Sequence, residues 1–376
     1  MNRLLLCPDK FKGTLTGEQV AEHVARGLRS VLPDIELVVV PVADGGDGTL
    51  AAAVSAGFTR MALTASGPTG APVDTAYGIR GREAVVELAE VSGLGQLPDG
   101  QLAALTATSR GTGELIAAAL DAGARRVVVG LGGSACTDGG AGLLAALGAR
   151  VLTASGDPVP PGGAGLADAA SLELSRMHPG LADAEIVVAC DVDNPLTGPH
   201  GAAAVYGPQK GASTKDVATL DAALAHFADL VVGAIGVERR DDPGAGAAGG
   251  VGFGLVSVAG ATMRPGAGLV FELTGLADAM ADVDLVITGE GSLDEQTLNG
   301  KAPAAVADLA RGLGIRVVAV AGRVLLSEDQ LRKAGFCDSY SLVDVAPSTQ
   351  EAMRNPAPLL EQIGARIAVD HLGGGS

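Results

Sequence analysis

Tryptophan is absent, and aromatic residues make up only 2% of the 376-residue chain. A core without large rings must be assembled from Ala, Val and Leu, and 56 glycines point to many tight turns. Four cysteines (Cys7, Cys136, Cys190, Cys337) lie far apart with no CxxC pair, and the five histidines show no HxH or HxxxH spacing. These absences exclude a disulfide framework and argue against a Cys or His zinc site. Positive charge is scarce: 26 Lys and Arg face 43 Asp and Glu, for a net charge of −17. So acidic a chain is a poor partner for nucleic acid or an anionic membrane. Long apolar runs are missing too. The N-terminal run is too short for a signal peptide. The longest uncharged stretch, 243–263, carries seven glycines and reads as a Gly-rich loop and buried segment, not a membrane helix. The expectation is a cytoplasmic protein with no nucleic-acid or membrane partner.

What is present is an apolar fraction of 47%, too high for disorder, in a chain long enough for two domains at ~150 residues each. Six short runs share one layout: LLLC (4–7), LVVVPV (37–42), VVVG (127–130), IVVAC (186–190), LVIT (285–288) and VVAVA (317–321). Each is apolar on both faces, as parallel strands buried on two sides are. Helix-like segments intervene. Thr16 is placed to cap a helix over 17–30 that Pro33 stops. Residues 217–232 put Leu220, Leu224, Phe227 and Val231 on one helical face, and 359–369 read as a further helix. Alternating strand and helix implies an α/β architecture with a mainly parallel sheet, which binds ligands at the carboxyl ends of its strands. The region 57–100 differs, with short alternating runs that suggest an antiparallel or mixed sheet and a second domain starting near residue 58. Segments 154–180 and 236–268 lack periodicity and read as inter-element loops.

Several motifs fail in context. GxGxxG occurs at Gly244, Gly246 and Gly249 but follows ERRDDP, not a strand, which weakens a nicotinamide-dependent oxidoreductase reading. A GxSxG elbow around Ser134 is spoiled by Cys136. No GxxxxGK[ST] exists, because Ala302 follows Gly300-Lys301, and HRD and DFG are absent.

Three sets survive. The chain has only six lysines, and Lys10, Lys12, Lys210 and Lys301 sit in the Gly/Pro-bounded loops PDKFKG, GPQKG and NGKAP. A single loop lysine is ordinarily just a solvated charge. Four of six together suit the oxygens of a small anionic substrate. The second set is acidic and follows apolar strands: Asp44 and Asp47 in ADGGDGT, Asp138 in TDGG, Asp191 and Asp193 in CDVDNP, and Glu290 and Asp294 in GEGSLDEQ. Asp-Gly is an ordinary turn dipeptide. Yet one or two such carboxylates, with phosphate oxygens, are also what Mg²⁺ takes, and one carboxylate can accept a hydroxyl proton. The third is the loop LGGSACTDGG (131–140), between a strand and a helix, whose exposed N–H groups make a phosphate cradle. Together the three point to phosphoryl transfer.

At this point the chain resembles the glycerate kinases of type I. PDKFKGTLT (8–16), PVADGGDGT (41–49), GLGGSACTDGG (130–140), CDVDNPLTGP (190–199), YGPQKGA (206–212), GAAGGVGFGL (246–255) and TGEGSLDEQTLNGKAP (288–303) occur in order along nearly the whole chain. The resemblance implies ATP-dependent phosphorylation of D-glycerate with Mg²⁺, mostly to 2-phosphoglycerate. It also implies a Rossmann-like parallel-sheet domain (1–57 and 278–376) with an inserted α/β domain (58–277), and an active site in the cleft. A kinase of another small hydroxy acid is the alternative. In this scheme Gly132, Gly133 and Ser134 hold nucleotide phosphates, and Asp191 with Asp193 stands near Mg²⁺. Lys12 and Lys210 steady the glycerate carboxylate or the moving phosphoryl group, and Asp294 orients or deprotonates the attacking hydroxyl. Lys10, Asp44, Gly45, Gly46, Asp138, Asn194, Glu290 and Lys301 complete the substrate- and phosphate-binding set. The expected assembly is a monomer or homodimer.

Overall fold

The computed structural model describes residues 3–373, and of Asn299 only its backbone. Its strands in chain order are β1 (Arg3–Pro8), β2 (Glu36–Val39), β3 (Thr59–Ser66), β4 (Pro72–Arg80), β5 (Glu83–Glu87), β6 (Arg126–Gly130), β7 (Arg150–Thr153), β8 (Ala169–Glu173), β9 (Glu185–Ala189), β10 (Thr262–Arg264), β11 (Leu285–Leu293), β12 (Arg316–Val324) and β13 (Asp338–Ser341). Each of the six apolar runs contains a strand, but 37–42 is strand only to Val39, and β2, at a sheet edge, is half-exposed where burial on two sides is expected. The chain divides into two compact units, one of residues 3–44, 51–56 and 267–373, the other of residues 45–50 and 57–266.

The first unit holds a five-stranded sheet in the order β13-β12-β11-β1-β2, every pair parallel. Counted within the unit, this is the doubly wound order 2-1-3-4-5, whose direction reverses between β1 and β11. Leu4, Leu6, Leu285 and Ile287 share one core with the helices Gly17–Val31 and Pro356–Leu372. Leu5, Val286 and Val317 share another with the helix Ala302–Gly312. Apolar cores on both faces explain why these strands read as continuous apolar runs. Thr16 caps the first helix as its sequence suggests. Its side chain accepts the Gln19 N–H, and Gln19 returns a bond to the Thr16 N–H, a reciprocal capping box.

The second unit holds a six-stranded sheet, β10-β9-β6-β5-β4-β3. Its first four strands run parallel, while β3-β4 and β4-β5 pair antiparallel. The region around 57–100 is therefore mixed, as its alternating pattern suggests. A separate hairpin joins β7 and β8. The helix Thr214–Ile235 is long and apolar enough to cross a membrane. However, Leu220, Leu224, Phe227 and Val231 on its inner face lie in this unit's core.

Segment 236–268 is not simply loop. It contains the helix Ala247–Val258 and strand β10. Val251, Phe253 and Leu255 are fully or almost fully buried, and the glycines among them are buried too. A helix enclosed on most sides has no polar face, so its sequence carries no helical period. Segment 154–180 likewise contains β8.

Candidate active site

In the first unit, the reversal between β1 and β11 is where a doubly wound sheet opens a crevice beyond its strand ends. Pro8 is level with Gly289 in the parallel register, and the Asp9 N–H donates to the Gly289 carbonyl (2.8 Å). Asp9, just past the end of β1, and Glu290, within β11, thus lie side by side on adjacent strands, each only 8% exposed. Asp9 Oδ1 accepts the Lys10 N–H (2.6 Å), and Lys10 Nζ stands 3.9 Å away. Glu290 Oε1 accepts the Thr297 hydroxyl (2.6 Å), and Lys301 Nζ lies 3.6 Å from Oε2.

Burial pushes the Asp9 carboxyl up from the usual 3.8 to about 7, against Lys10 and its N–H, with Asp44 and Glu290 raising it further. Burial also raises Glu290, while Thr297 and Lys301 oppose the shift. The structure therefore brings Lys10, Asp44, Glu290 and Lys301 into one electrostatic cluster. It adds Asp9, which the sequence reading passed over although it lies inside PDKFKG at a strand end. Lys12 is exposed in the tight turn closed by Phe11 and Leu15.

Asp294 is half-exposed beside this cluster, and its charge also raises Glu290. Asp294 Oδ1 accepts the Gln296 N–H (3.0 Å), its Oδ2 accepts the Ser292 hydroxyl (3.4 Å), and its own N–H donates to Thr297 Oγ1 (3.0 Å). The side chain ties the turn that sets Thr297 beneath Glu290, a common use of Asp in turns.

In the second unit, loop 131–134 leaves β6 and packs on residues 45–47. The approach requires glycine at 132 and 133. A Cβ on Gly132 would lie 2.3 Å from the Gly46 Cα, and one on Gly133 (φ +72) would lie 2.3 Å from Asp47 Oδ1. Gly45, also at positive φ, sits against Ala189 at the end of β9. Four predicted phosphate-binding glycines therefore meet over the carboxyl ends of β6 and β9.

Lys210 and Asp138, both expected to contact substrate, are turned inward. Lys210 is 1% exposed. Its Nζ donates to Ser134 Oγ (2.9 Å) and the Cys136 carbonyl (2.5 Å), bracing the Gly-rich loop from below. Burial lowers its pKa, with Cys136 and Asp138 opposing. Asp138 is 1% exposed and accepts from Ser109 N (2.8 Å), Ser109 Oγ (2.9 Å) and Gly140 N (3.2 Å). Burial raises its pKa against these bonds. Asn194 is spent on its own loop: Oδ1 accepts the Tyr206 hydroxyl (2.6 Å), and Nδ2 donates to the His200 carbonyl (2.9 Å). For Lys210 and Asp138 the buried polar group is satisfied by protein, as burial demands.

Asp191 and Asp193 lie exposed beyond β9, and Asp191 Oδ1 accepts the Gly266 N–H (2.8 Å). Among the described residues no group of three or more His, Cys, Asp or Glu side chains is arranged to hold a metal. Two solvent-facing carboxylates still fit Mg²⁺, which takes one or two from the protein and the rest from phosphate and water. Glu87, at the end of β5, is a second residue hidden from the sequence reading. It is 3% exposed and lies inside the apolar run AVVELAEV, so nothing local marks it.

The sequence matches the glycerate kinase family model over residues 4–371. It is 42% identical to the glycerate kinase of Bacillus subtilis (strain 168) over 369 residues, 97% of each chain. It is 40% identical to the glycerate 2-kinase of Escherichia coli (strain K12) over 356 residues, 94% of this chain and 93% of the other. A crystal structure of a Salmonella typhimurium LT2 protein assigned as glycerate kinase 2 matches with a TM-score of 0.86 at 39% identity, covering 99% of both chains. With that agreement in family, sequence and fold, the chain belongs to the glycerate kinase family and is a kinase.

Proposed function

We propose that this enzyme transfers the γ-phosphoryl group of ATP to the 2-hydroxyl of D-glycerate, giving ADP and 2-phosphoglycerate. The hydroxyl oxygen forms the new P–O bond, the bond from the γ-phosphorus to the ADP oxygen breaks, and the hydroxyl proton passes to a carboxylate. The observation that carries this reading is the pair Asp9 and Glu290 at the strand reversal, flanked by Lys10 and Lys301. Phosphoryl transfer asks the protein mainly for positioning and charge neutralisation. The lysines suit the glycerate carboxylate and the phosphoryl oxygens. Asp9 is the proton acceptor we favour, because a carboxyl pushed up to about 7 is poised to take a proton near neutral pH. Asp294 would act by shaping the turn that presents Glu290.

The N–H groups of loop 131–134 would receive nucleotide phosphates. Mg²⁺, held by Asp191 and Asp193 together with phosphate oxygens, would supply charge neutralisation. A nucleotide co-substrate and a small hydroxy acid fit a cytoplasmic enzyme acting as a monomer or homodimer.

The test is a coupled assay of ADP release with ATP, Mg²⁺ and D-glycerate, with the product resolved by ³¹P NMR. Formation of 2-phosphoglycerate is expected. No ADP release from folded protein would refute the reading, and 3-phosphoglycerate would refute the choice of hydroxyl. A panel of small hydroxy acids separates D-glycerate from other acceptors.

A further inference from the structure

Glu87 has no part in the chemistry above, yet its surroundings are unusual. It ends β5, whose neighbour β6 runs straight into the Gly-rich loop. Its carboxylate is aimed at backbone. Oε1 accepts the Gly48 N–H (3.0 Å) and Oε2 accepts the Leu50 N–H (2.9 Å). Those donors flank the first residue of the helix Thr49–Ser55, directly after residues 45–47. Residues 45–47 in turn are the segment against which Gly132 and Gly133 pack without room for a Cβ. One side chain thus grips the chain just beyond the place where two glycine loops meet.

We propose that Glu87 is a positioning residue, clamping residues 48–50 so that the 45–47 segment is held against Gly132 and Gly133 and the phosphate-receiving loop keeps its shape. The proposal rests on the kinase reading only for what the loop binds; the clamp itself is a property of the fold.

The clamp needs the ionised form. A carboxylate offers an acceptor oxygen to each of two N–H groups. A protonated acid, or a glutamine, offers one acceptor and one donor, so one of the two N–H groups is left facing a donor. Burial pushes Glu87 up to about 7, opposed by the Leu50 and Gly48 N–H bonds. The charged groups facing it are Asp47 on the loop and Glu90 on the adjacent helical turn, both of which raise it. Glu90 itself has Arg60 Nη2 at 3.7 Å. Near neutral pH the clamp therefore sits close to its own titration, and it weakens as pH falls through about 7.

Two measurements on the full chain test this. The first needs no substrate: amide hydrogen exchange at Gly48 and Leu50 in wild type, Glu87→Gln and Glu87→Asp. Exchange about 10- to 100-fold faster in Glu87→Gln is expected, in line with the loss of a charge-assisted hydrogen bond. Glu87→Asp, which keeps the charge, should recover part of the protection. The second is ADP affinity at pH 6 and pH 8. Wild type should bind about 10-fold more weakly at pH 6, and Glu87→Gln weakly at both. In turnover, Glu87→Gln should raise KM for ATP while kcat changes much less, whereas a merely structural side chain would lower the melting temperature and leave KM alone. Unchanged exchange at Gly48 and Leu50, or a wild-type KM in Glu87→Gln, would overturn the proposal. Wild-type protein that binds no ADP would instead sink the kinase reading, with the exchange experiment still deciding the clamp.

Discussion

Replacing Lys210 with methionine removes an ammonium that donates to Ser134 Oγ at 2.9 Å and to the Cys136 carbonyl at 2.5 Å, in a side chain 1% exposed. Methionine fills most of the volume and donates to neither. Each orphaned buried acceptor costs ~1–3 kcal/mol. Relief from burying a charge offsets part of that, leaving a net loss of about 2–4 kcal/mol. For a cooperative unit of this size the loss corresponds to a fall of roughly 5–15 °C in melting temperature. Thermal unfolding of Lys210→Met, Ser134→Ala and the double variant forms a cycle, and a coupling of ~1–3 kcal/mol is expected for groups in direct contact. The pH dependence gives a second signature. Burial lowers the Lys210 pKa in the folded state. The cost of keeping it protonated is therefore present in full below that folded pKa. It is relieved as pH rises toward the ordinary lysine value, because the unfolded chain then holds more protons. Wild type should gain stability across that alkaline window, and Lys210→Met should lack the gain. A lysine that bound substrate directly would behave otherwise: its loss would raise KM with little change in melting temperature. Unchanged stability together with a raised KM would refute the brace and restore Lys210 as a ligand.

Two further substitutions bear on the site. Asp9→Asn should lower kcat ~10²–10⁴-fold, as loss of a proton acceptor does, and yet stabilise the fold at pH 8. The raised carboxyl of Asp9 contributes stability that is complete below 3.8 and lost as pH rises through about 7. The neutral amide escapes that loss, so a gain of ~2–4 kcal/mol at pH 8, vanishing near pH 4, should appear in urea unfolding; destabilisation at pH 8 would contradict it. Gly132→Ala places a Cβ 2.3 Å from the Gly46 Cα, where only backbone can yield. A cost of ~1–3 kcal/mol and a lower kcat/KM are expected, and an unaltered melting curve would show that the two loops do not press together.

Much of the architecture could be read from local pattern. Each of the six apolar runs contains a strand, and Thr16 caps the helix Gly17–Val31. The inner face of Thr214–Ile235 is buried as its period predicts. The helix Ala247–Val258 escaped notice because enclosure removes the polar face that periodicity needs. The glycine loops 45–47 and 131–134 were visible as candidates, but not their packing on each other.

Residue types and spacing were enough to mark which segments carry the chemistry, because strand ends, glycine turns and isolated lysines are local signals. They left undecided which polar atom meets which. Asp294, Asn194, Asp138 and Lys210 look like ligands in the sequence, yet in the fold each is bonded to nearby protein. Asp9 and Glu87 look unremarkable in the sequence, yet burial and neighbouring carboxylates hold both near a neutral pKa. Desolvation and hydrogen-bond partners arise from segments far apart in the chain: Glu87 meets Gly48 and Leu50, and Lys210 meets Ser134. A charge's role is set by its surroundings, and only the folded chain supplies them.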